Sequence, residues 1–278
     1  MKKLVAMMMA TALVAMTLTA CGSSDSTTNT AASTEAATEE SAAADTAEAT
    51  DVAEATDGNV LIVGTNAEFP PFEYIGDDGE PDGFDIALIK AIGEKMGMEV
   101  QVENMEFASL VAAIGTKIDA SIAGMTVTDE RAQVVDFSDT YYDAVQSVIV
   151  AADSDIATAD DLKGKSIGVQ MGTTGNFIAD DIEGATVQAY NKGVDAVNDL
   201  LNGRVDAVII DTNPANVFAK NFEGQVVALD GAQFDFEPEH YAIALPKGSD
   251  LVEKVNAALA ELKEDGTFDA IVDEYINN

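Results

Sequence analysis

Three observations predict an α/β fold with largely parallel sheets. Short apolar runs of strand length alternate with segments whose apolar residues recur at helical spacing. Glycines close several of these units, as at Gly97, Gly115 and Gly203. Two similar phrases, Lys117-Ile-Asp-Ala and Arg204-Val-Asp-Ala, point to two related lobes, and no period of the solenoid kind is present.

The elements follow in order. Val60-Leu61-Ile62-Val63-Gly64 is a buried strand, and Asp82-Gly83-Phe84-Asp85 leads into a helix whose Ile86, Leu88, Ile89, Ile92 and Met96 have helical spacing up to Gly97. Glu99 to Val102 alternates as a strand. Leu110, Ala113 and Ile114 mark a short helix, and Asp119 to Gly124 is a strand running into a glycine turn. Ser147 to Ala151 is a further strand. Ser166 to Val169 is a strand, and Gly172-Thr-Thr-Gly175 opens a helix. Strands at 187–190 and 206–210 flank a helix at 194–201. Tyr241 to Leu245 is the last strand, and the final thirty residues are helical, with Leu251, Val255, Leu259 and Leu262 on one face.

Composition narrows the function. Fifty acidic residues against 14 basic ones give a formal charge of -36, which repels phosphate and excludes nucleic acid as a partner. One Cys and one His leave no intrachain disulfide, no Cys-based zinc cluster and little material for Cys/His catalysis, so neither a metal nor a cofactor is expected. Residues 1–20 read as an export signal: Lys2 and Lys3, then an apolar stretch too short for a comfortable membrane span. Leu18-Thr-Ala-Cys21 resembles a bacterial lipobox, in which the Cys21 thiol is acylated and the chain is held to the membrane by lipid. Residues 21–57 then form an acidic tether rich in Ala, Ser and Thr, with nothing to build a core, so disorder is expected.

From about residue 59 onward the chain resembles the polar amino acid solute-binding proteins of ABC transporters. The matching phrases are Gly64-Thr-Asn-Ala-Glu-Phe-Pro-Pro-Phe-Glu-Tyr74, Gly83-Phe-Asp-Ile86, Ala123-Gly-Met-Thr-Val-Thr-Asp-Glu-Arg131, Asp136-Phe-Ser-Asp139, Gly172-Thr-Thr-Gly175 and Asp206-Ala-Val208 with Asp211, in the family's order. The resemblance implies a two-lobed type II periplasmic-binding-protein fold over 58–278. A ligand cleft would lie between lobes joined by two hinge strands, with lobe 1 at about 59–145 and 242–278 and lobe 2 at about 146–241. It also implies permease subunits of an ABC importer as partners; a monomer is the simplest expectation, and lipobox processing would place it on the extracytoplasmic face of the cell membrane.

The chemistry of a free amino acid selects the site residues. Its carboxylate and ammonium must both be met, because an unpaired buried charge is costly. Arg131 suits the carboxylate through its planar fork. The Gly124 turn, with Met125 and Thr126, and the first turn after Gly172, with Thr173 and Thr174, offer further donors. Asp211 suits the ammonium, and Phe69 and Phe107 resemble the family's aromatic walls. Asn66 and Gln170 can bond a neutral polar side chain; Glu68 or Glu73 can meet a cationic one if it points inward. Competing readings make Arg131 a surface partner of Asp129 or Asp136, Asp211 a helix N-cap, and Gly172-Thr-Thr-Gly175 a plain strand–helix turn. Rival functions are a dehydratase of the cyclohexadienyl type, with Glu68 or the lone His240 as candidate acid or base, and a ligand-sensing module. Neither is favoured, since no nucleophile–base pair and no second apolar span is present.

Overall fold

The computed structural model describes residues 59–277, so the export signal of 1–20, Cys21 and the tether to residue 57 lie outside the described residues. The first sheet grows from Val60–Thr65, where Leu61 and Val63 are fully buried. This strand lies parallel to Glu99–Asn104 on one side and Ala120–Ser121 on the other, and the sheet continues through Ala244–Pro246 to Val135–Phe137. The second sheet runs in the order Thr186–Tyr190, Ser166–Gln170, Ala207–Asp211, Tyr142–Ala151, Val226–Leu229. A small third sheet joins Glu68–Phe69, Glu73–Ile75 and Pro81–Asp82.

The sheets are mixed rather than largely parallel. Thr186–Tyr190, Ser166–Gln170 and Ala207–Asp211 are parallel, but Tyr142–Ala151 runs antiparallel to both of its sheet neighbours, and Ala244–Pro246 runs antiparallel in the first sheet. These strands arrive from the other lobe, not from a helical crossover, so nothing forces them to be parallel. Tyr142–Ala151 is the longest strand. Its first half pairs with Pro238–Tyr241 and its second half with Ala207–Asp211. The strand expected over 241–245 is therefore two strands, Pro238–Tyr241 and Ala244–Pro246, divided between the sheets at the point where the chain crosses.

Helix formation follows the apolar spacing. Phe84–Met96 buries Phe84, Leu88, Ile89 and Ile92 and stops at Gly97, whose φ of 68° suits glycine. The C-terminal helical stretch is two helices, Leu251–Asp265 and Thr267–Tyr275, broken at Gly266 with φ 83°. Thr212–Asn221 is a helix that apolar spacing does not announce; Pro214 sits in its first turn, where its missing N–H costs little. At the crossing, Phe72 meets Tyr142 at 4.9 Å and Tyr241 at 5.2 Å between ring centroids, both edge-on. Each such pair contributes about 0.5–1.5 kcal/mol beyond burial, which gives the two crossing segments a shared apolar seat.

Candidate functional site

The site lies between the two sheets, near the carboxyl ends of their parallel strands, where α/β folds leave a crevice. Its lining is Asn66, Phe69, Glu73, Phe107, Ala123, Gly124, Thr126, Arg131, Gln170, Thr173, Thr174 and Asp211. All the residues selected above are thus brought together except Met125. The Met125 side chain is fully buried in the apolar cluster of Leu110, Ile118, Val135 and Ala244. Its side chain belongs to the core, so what Met125 can offer a ligand is its backbone alone.

Arg131 stands on a short turn, Arg131–Gln133, and is 7% exposed. Its Nη1 donates to the Thr126 carbonyl at 2.7 Å and its Nη2 to the Gly172 carbonyl at 3.0 Å. The guanidinium lies 5.3 Å from the Phe107 ring centroid. Asp136, the alternative partner, pairs with Lys247 at 2.7 Å instead. Burial pulls the Arg131 guanidinium below its ordinary value, with Glu239 and Asp211 acting the other way; a guanidinium so supported stays cationic.

Asp211 ends the strand Ala207–Asp211 and holds the N-cap place of the next helix, yet its side chain caps nothing. It accepts the Tyr241 hydroxyl at 2.5 Å. Burial, then the neighbouring Glu239, pushes its carboxyl up to about 7. Thr173 caps the helix Thr174–Asp181 by accepting the Asn176 N–H at 3.2 Å, and helix geometry leaves the first-turn N–H groups without intrahelical partners.

Three expected donors are already engaged. The Gly124 N–H, expected to face a ligand carboxylate, donates to Asp85 Oδ2 at 2.8 Å. Gly124 has φ 52°, and an added Cβ would fall 2.8 Å from the Phe69 ring, so both its conformation and its space require glycine. The Thr126 and Thr174 hydroxyls donate to Glu239 Oε2 at 2.6 and 2.8 Å, which leaves backbone amides as what these residues offer a ligand. Asn66 and Gln170 bond one another across the lobes at 2.8 Å, Asn66 also donating to the Met105 carbonyl. Beyond them an open groove of about 750 Å³ faces solvent, lined in part by Glu106, Lys117 and Lys192; it contains neither Arg131 nor Asp211. At its edge Glu68 pairs with Lys192 at 2.5 Å. As a partly exposed pair it contributes at most about 1 kcal/mol, and Glu68 is thereby turned away from the pocket lining. His240 sits on the exposed side of the crossing, 2.7 Å from Asp143.

Three functional carboxyls escaped the sequence reading or were left open by it. Glu73 points inward and is fully buried, with no N–H or O–H donor at either oxygen. Asp85 lies behind it, accepting Gly124 N–H and the Tyr141 hydroxyl, each at 2.8 Å. Glu239, on the crossing strand, gathers hydroxyls from both lobes. Glu73 was named in advance on condition that it point inward, the phrase Gly83-Phe-Asp-Ile86 marked Asp85 without a role, and nothing marked Glu239.

The buried acids set a pH dependence. Burial raises Glu73 well above the carboxylate range, raises Asp85 to about 6 and, with Glu239, raises Asp211 to about 7. In an unfolded chain these groups titrate near ~4. Between these values the native state binds more protons than the unfolded one, so stability falls as pH rises through this window. The support from Asp85 and Asp211 is full below about pH 4 and lost through about 6 to 7, and that from Glu73 is lost as pH rises through its own raised value. Asp211→Asn removes one such group. Urea denaturation of ligand-free protein should show this variant gaining on the parent from pH 5 to pH 8; a constant difference would contradict the assignment.

Comparison with known proteins places this geometry. The model of the bacterial extracellular solute-binding proteins, family 3, matches residues 61–278. The arginine-binding extracellular protein ArtP of Bacillus subtilis is 37% identical over 216 residues, covering 76% of this chain and 84% of the relative. The L-cystine-binding protein TcyJ of Escherichia coli is 32% identical over 220 residues, covering 77% and 82%. Among solved structures, an ancestral arginine-binding protein bound to arginine superposes with a TM-score of 0.74 at 39% identity, covering 79% of this chain and 99% of that one.

Proposed function

Because this chain belongs to family 3 of the bacterial extracellular solute-binding proteins, we propose that it captures a free L-amino acid with a cationic side chain and delivers it to the permease subunits of an ABC importer. The observation that carries this reading is the charge arrangement of one pocket: Arg131 is its only cation, while Asp211 and Glu73 both line it. The α-carboxylate would bond Arg131 and the first-turn amides after Thr173, and the ammonium would bond Asp211. The side chain would run between Phe69 and Phe107 towards Glu73. A neutral side chain finds less here, because Gln170 Nε2 is engaged by Asn66 Oδ1 and the Asn191 carbonyl and Asn66 Nδ2 by the Met105 carbonyl. Arginine-binding and arginine-, lysine-, histidine-binding relatives agree with this choice.

The same reading makes residues 1–20 an export signal, Cys21 the lipid attachment point and 21–57 a tether that lifts a monomeric receptor off the extracytoplasmic face. Two lobes, at about 59–145 with 242–278 and at about 146–241, would close over the ligand by bending at the crossing strands. No catalytic role is assigned. Cys21→Ser should move the chain from the membrane fraction to the soluble one; retention at the membrane would reject the anchor.

The direct test is a thermal-shift screen of residues 58–278, refolded to remove carried ligand, against the twenty L-amino acids. A ligand at 100 times its Kd stabilises the fold by about 2.7 kcal/mol. The largest shift is expected with arginine, a smaller one with lysine, and none with aspartate or glutamate. No shift with any amino acid would overturn the reading.

A further inference from the structure

We propose that Glu73 and Asp85 form a charge-reading pair: it holds one proton in the empty cleft and releases it to solvent when a ligand with a cationic side chain binds. This deepens the amino-acid reading above and rests on it. Glu73 follows Phe72 on the short strand Glu73–Ile75, lines the pocket, and is fully buried. Apart from the Asp85 carboxyl, no donor reaches either of its oxygens. Asp85, in the first turn of Phe84–Met96, is also fully buried. Its Oδ2 takes the Gly124 N–H and the Tyr141 O–H, and its Oδ1 takes neither.

The surroundings give this pair no cation. Tyr141, from the crossing segment, is a neutral donor to Asp85. Asp211, from the second lobe, adds negative charge against Glu73, and Glu239 lies against Asp211 and Arg131. Arg131, the cation of the pocket, directs its Nη atoms to the Thr126 and Gly172 carbonyls. Two adjacent buried carboxyls in such a place cannot both be ionised. Asp85 has the two donors that favour its anion, so the proton resides on Glu73 and is donated to Asp85. The raised values of both groups agree with this division.

A cationic side chain changes the balance. It supplies the charge that Glu73 lacks, so the Glu73 O–H proton passes to water and a carboxylate–cation pair forms in its place. A neutral side chain leaves the proton where it is. Asp211 releases its own proton to meet the α-ammonium, but that step is the same for every amino acid and cancels in a comparison of two. The consequence is a preference for cationic ligands that grows as pH rises, by up to roughly tenfold per pH unit below the titration of the pair. Asp85 acts here as a positioning residue, through Glu73.

The experiment is calorimetric titration of L-arginine and of L-citrulline, its neutral isostere, in buffers of differing ionisation heat. It is read alongside infrared spectra of the ligand-free protein. Arginine should release about one proton more than citrulline, and the ligand-free spectrum should contain a protonated-carboxyl band that Glu73→Gln abolishes. Glu73→Gln should also erase the difference in proton release and weaken arginine at least tenfold more than it weakens citrulline. Asp85→Asn should lower the pH at which Glu73 titrates in the empty cleft, shrinking the difference while the preference for arginine stays. A merely structural role for Asp85 would instead weaken both ligands alike. Equal proton release for the two ligands in the parent protein, or no Glu73-dependent band, overturns the proposal. If neither amino acid binds, the amino-acid reading falls and the release with it; the infrared band then still decides whether the pair holds a proton.

Discussion

Arg131→Ala should lower amino acid affinity by a factor of at least about 100, with the fold intact. The expectation rests on what the guanidinium does in the cleft. It is buried, its donors reach Thr126 in one lobe and Gly172 in the other, and its plane lies over Phe107. Removing one partner of a buried ion pair costs about 3–5 kcal/mol, because the other charge is left unmet. In the variant that charge is the ligand carboxylate. The negative charges of Glu239 and Asp211, which Arg131 opposes, would then act on that carboxylate without a balancing cation. Stability should change little, since burial already disfavours the cation and its loss relieves that cost. Calorimetric titration together with a urea midpoint separates the two effects. Affinity within a few-fold of the parent protein would remove Arg131 from the carboxylate role.

Glu239→Ala should weaken ligand binding by roughly 10- to 100-fold through closure, although Glu239 is not part of the pocket lining. Its Oε2 accepts the Thr126 hydroxyl at 2.6 Å, the Thr174 hydroxyl at 2.8 Å and Gln146 Nε2 at 3.4 Å. Thr126 follows Ala120–Ser121 of the first sheet, Gln146 lies on Tyr142–Ala151 of the second and Thr174 opens a helix against that second sheet, so one oxygen ties segments of both sheets to the strand Pro238–Tyr241. A hydrogen bond to a charged group contributes about 1.5–3 kcal/mol. On the proposed hinge closure, opening the cleft would part at least one of these bonds, so their loss would weaken the closed form selectively. Small-angle scattering at saturating ligand should show a larger radius for the variant, and Glu239→Gln, which keeps an acceptor oxygen, should fall between. Unchanged affinity and radius in Glu239→Ala would show that closure does not depend on this carboxylate.

The two variants differ in how far the sequence announced them. Arg131 stands within a continuous phrase, Ala123 to Arg131, and Asp211 ends an apolar strand; each could be located from its neighbours along the chain. Phe69 and Gly124 were legible for the same reason. Glu239 was not: it lies 113 residues from Thr126 and 65 from Thr174, in a stretch with no apolar rhythm and beside the more conspicuous His240. Glu73 was named only on condition that it point inward. A two-residue period on a three-residue strand cannot settle which face is buried, and the pairing of Glu73 with Phe69 settled it.

The alternating apolar periods and the glycine stops were enough for the α/β class, because that depends on local spacing and residue type, and the resemblance carried by the phrase order implied the two lobes. Strand direction was beyond them. Tyr142–Ala151 and Ala244–Pro246 run antiparallel because they cross between lobes, and a strand's own pattern says nothing of the sheet it enters. The state of the acids was also beyond them. Fifty acidic side chains look alike in the sequence. Burial and the count of donors around each oxygen make Glu73, Asp85 and Asp211 different from the rest, and both arise only when segments far apart in the chain close around one cleft.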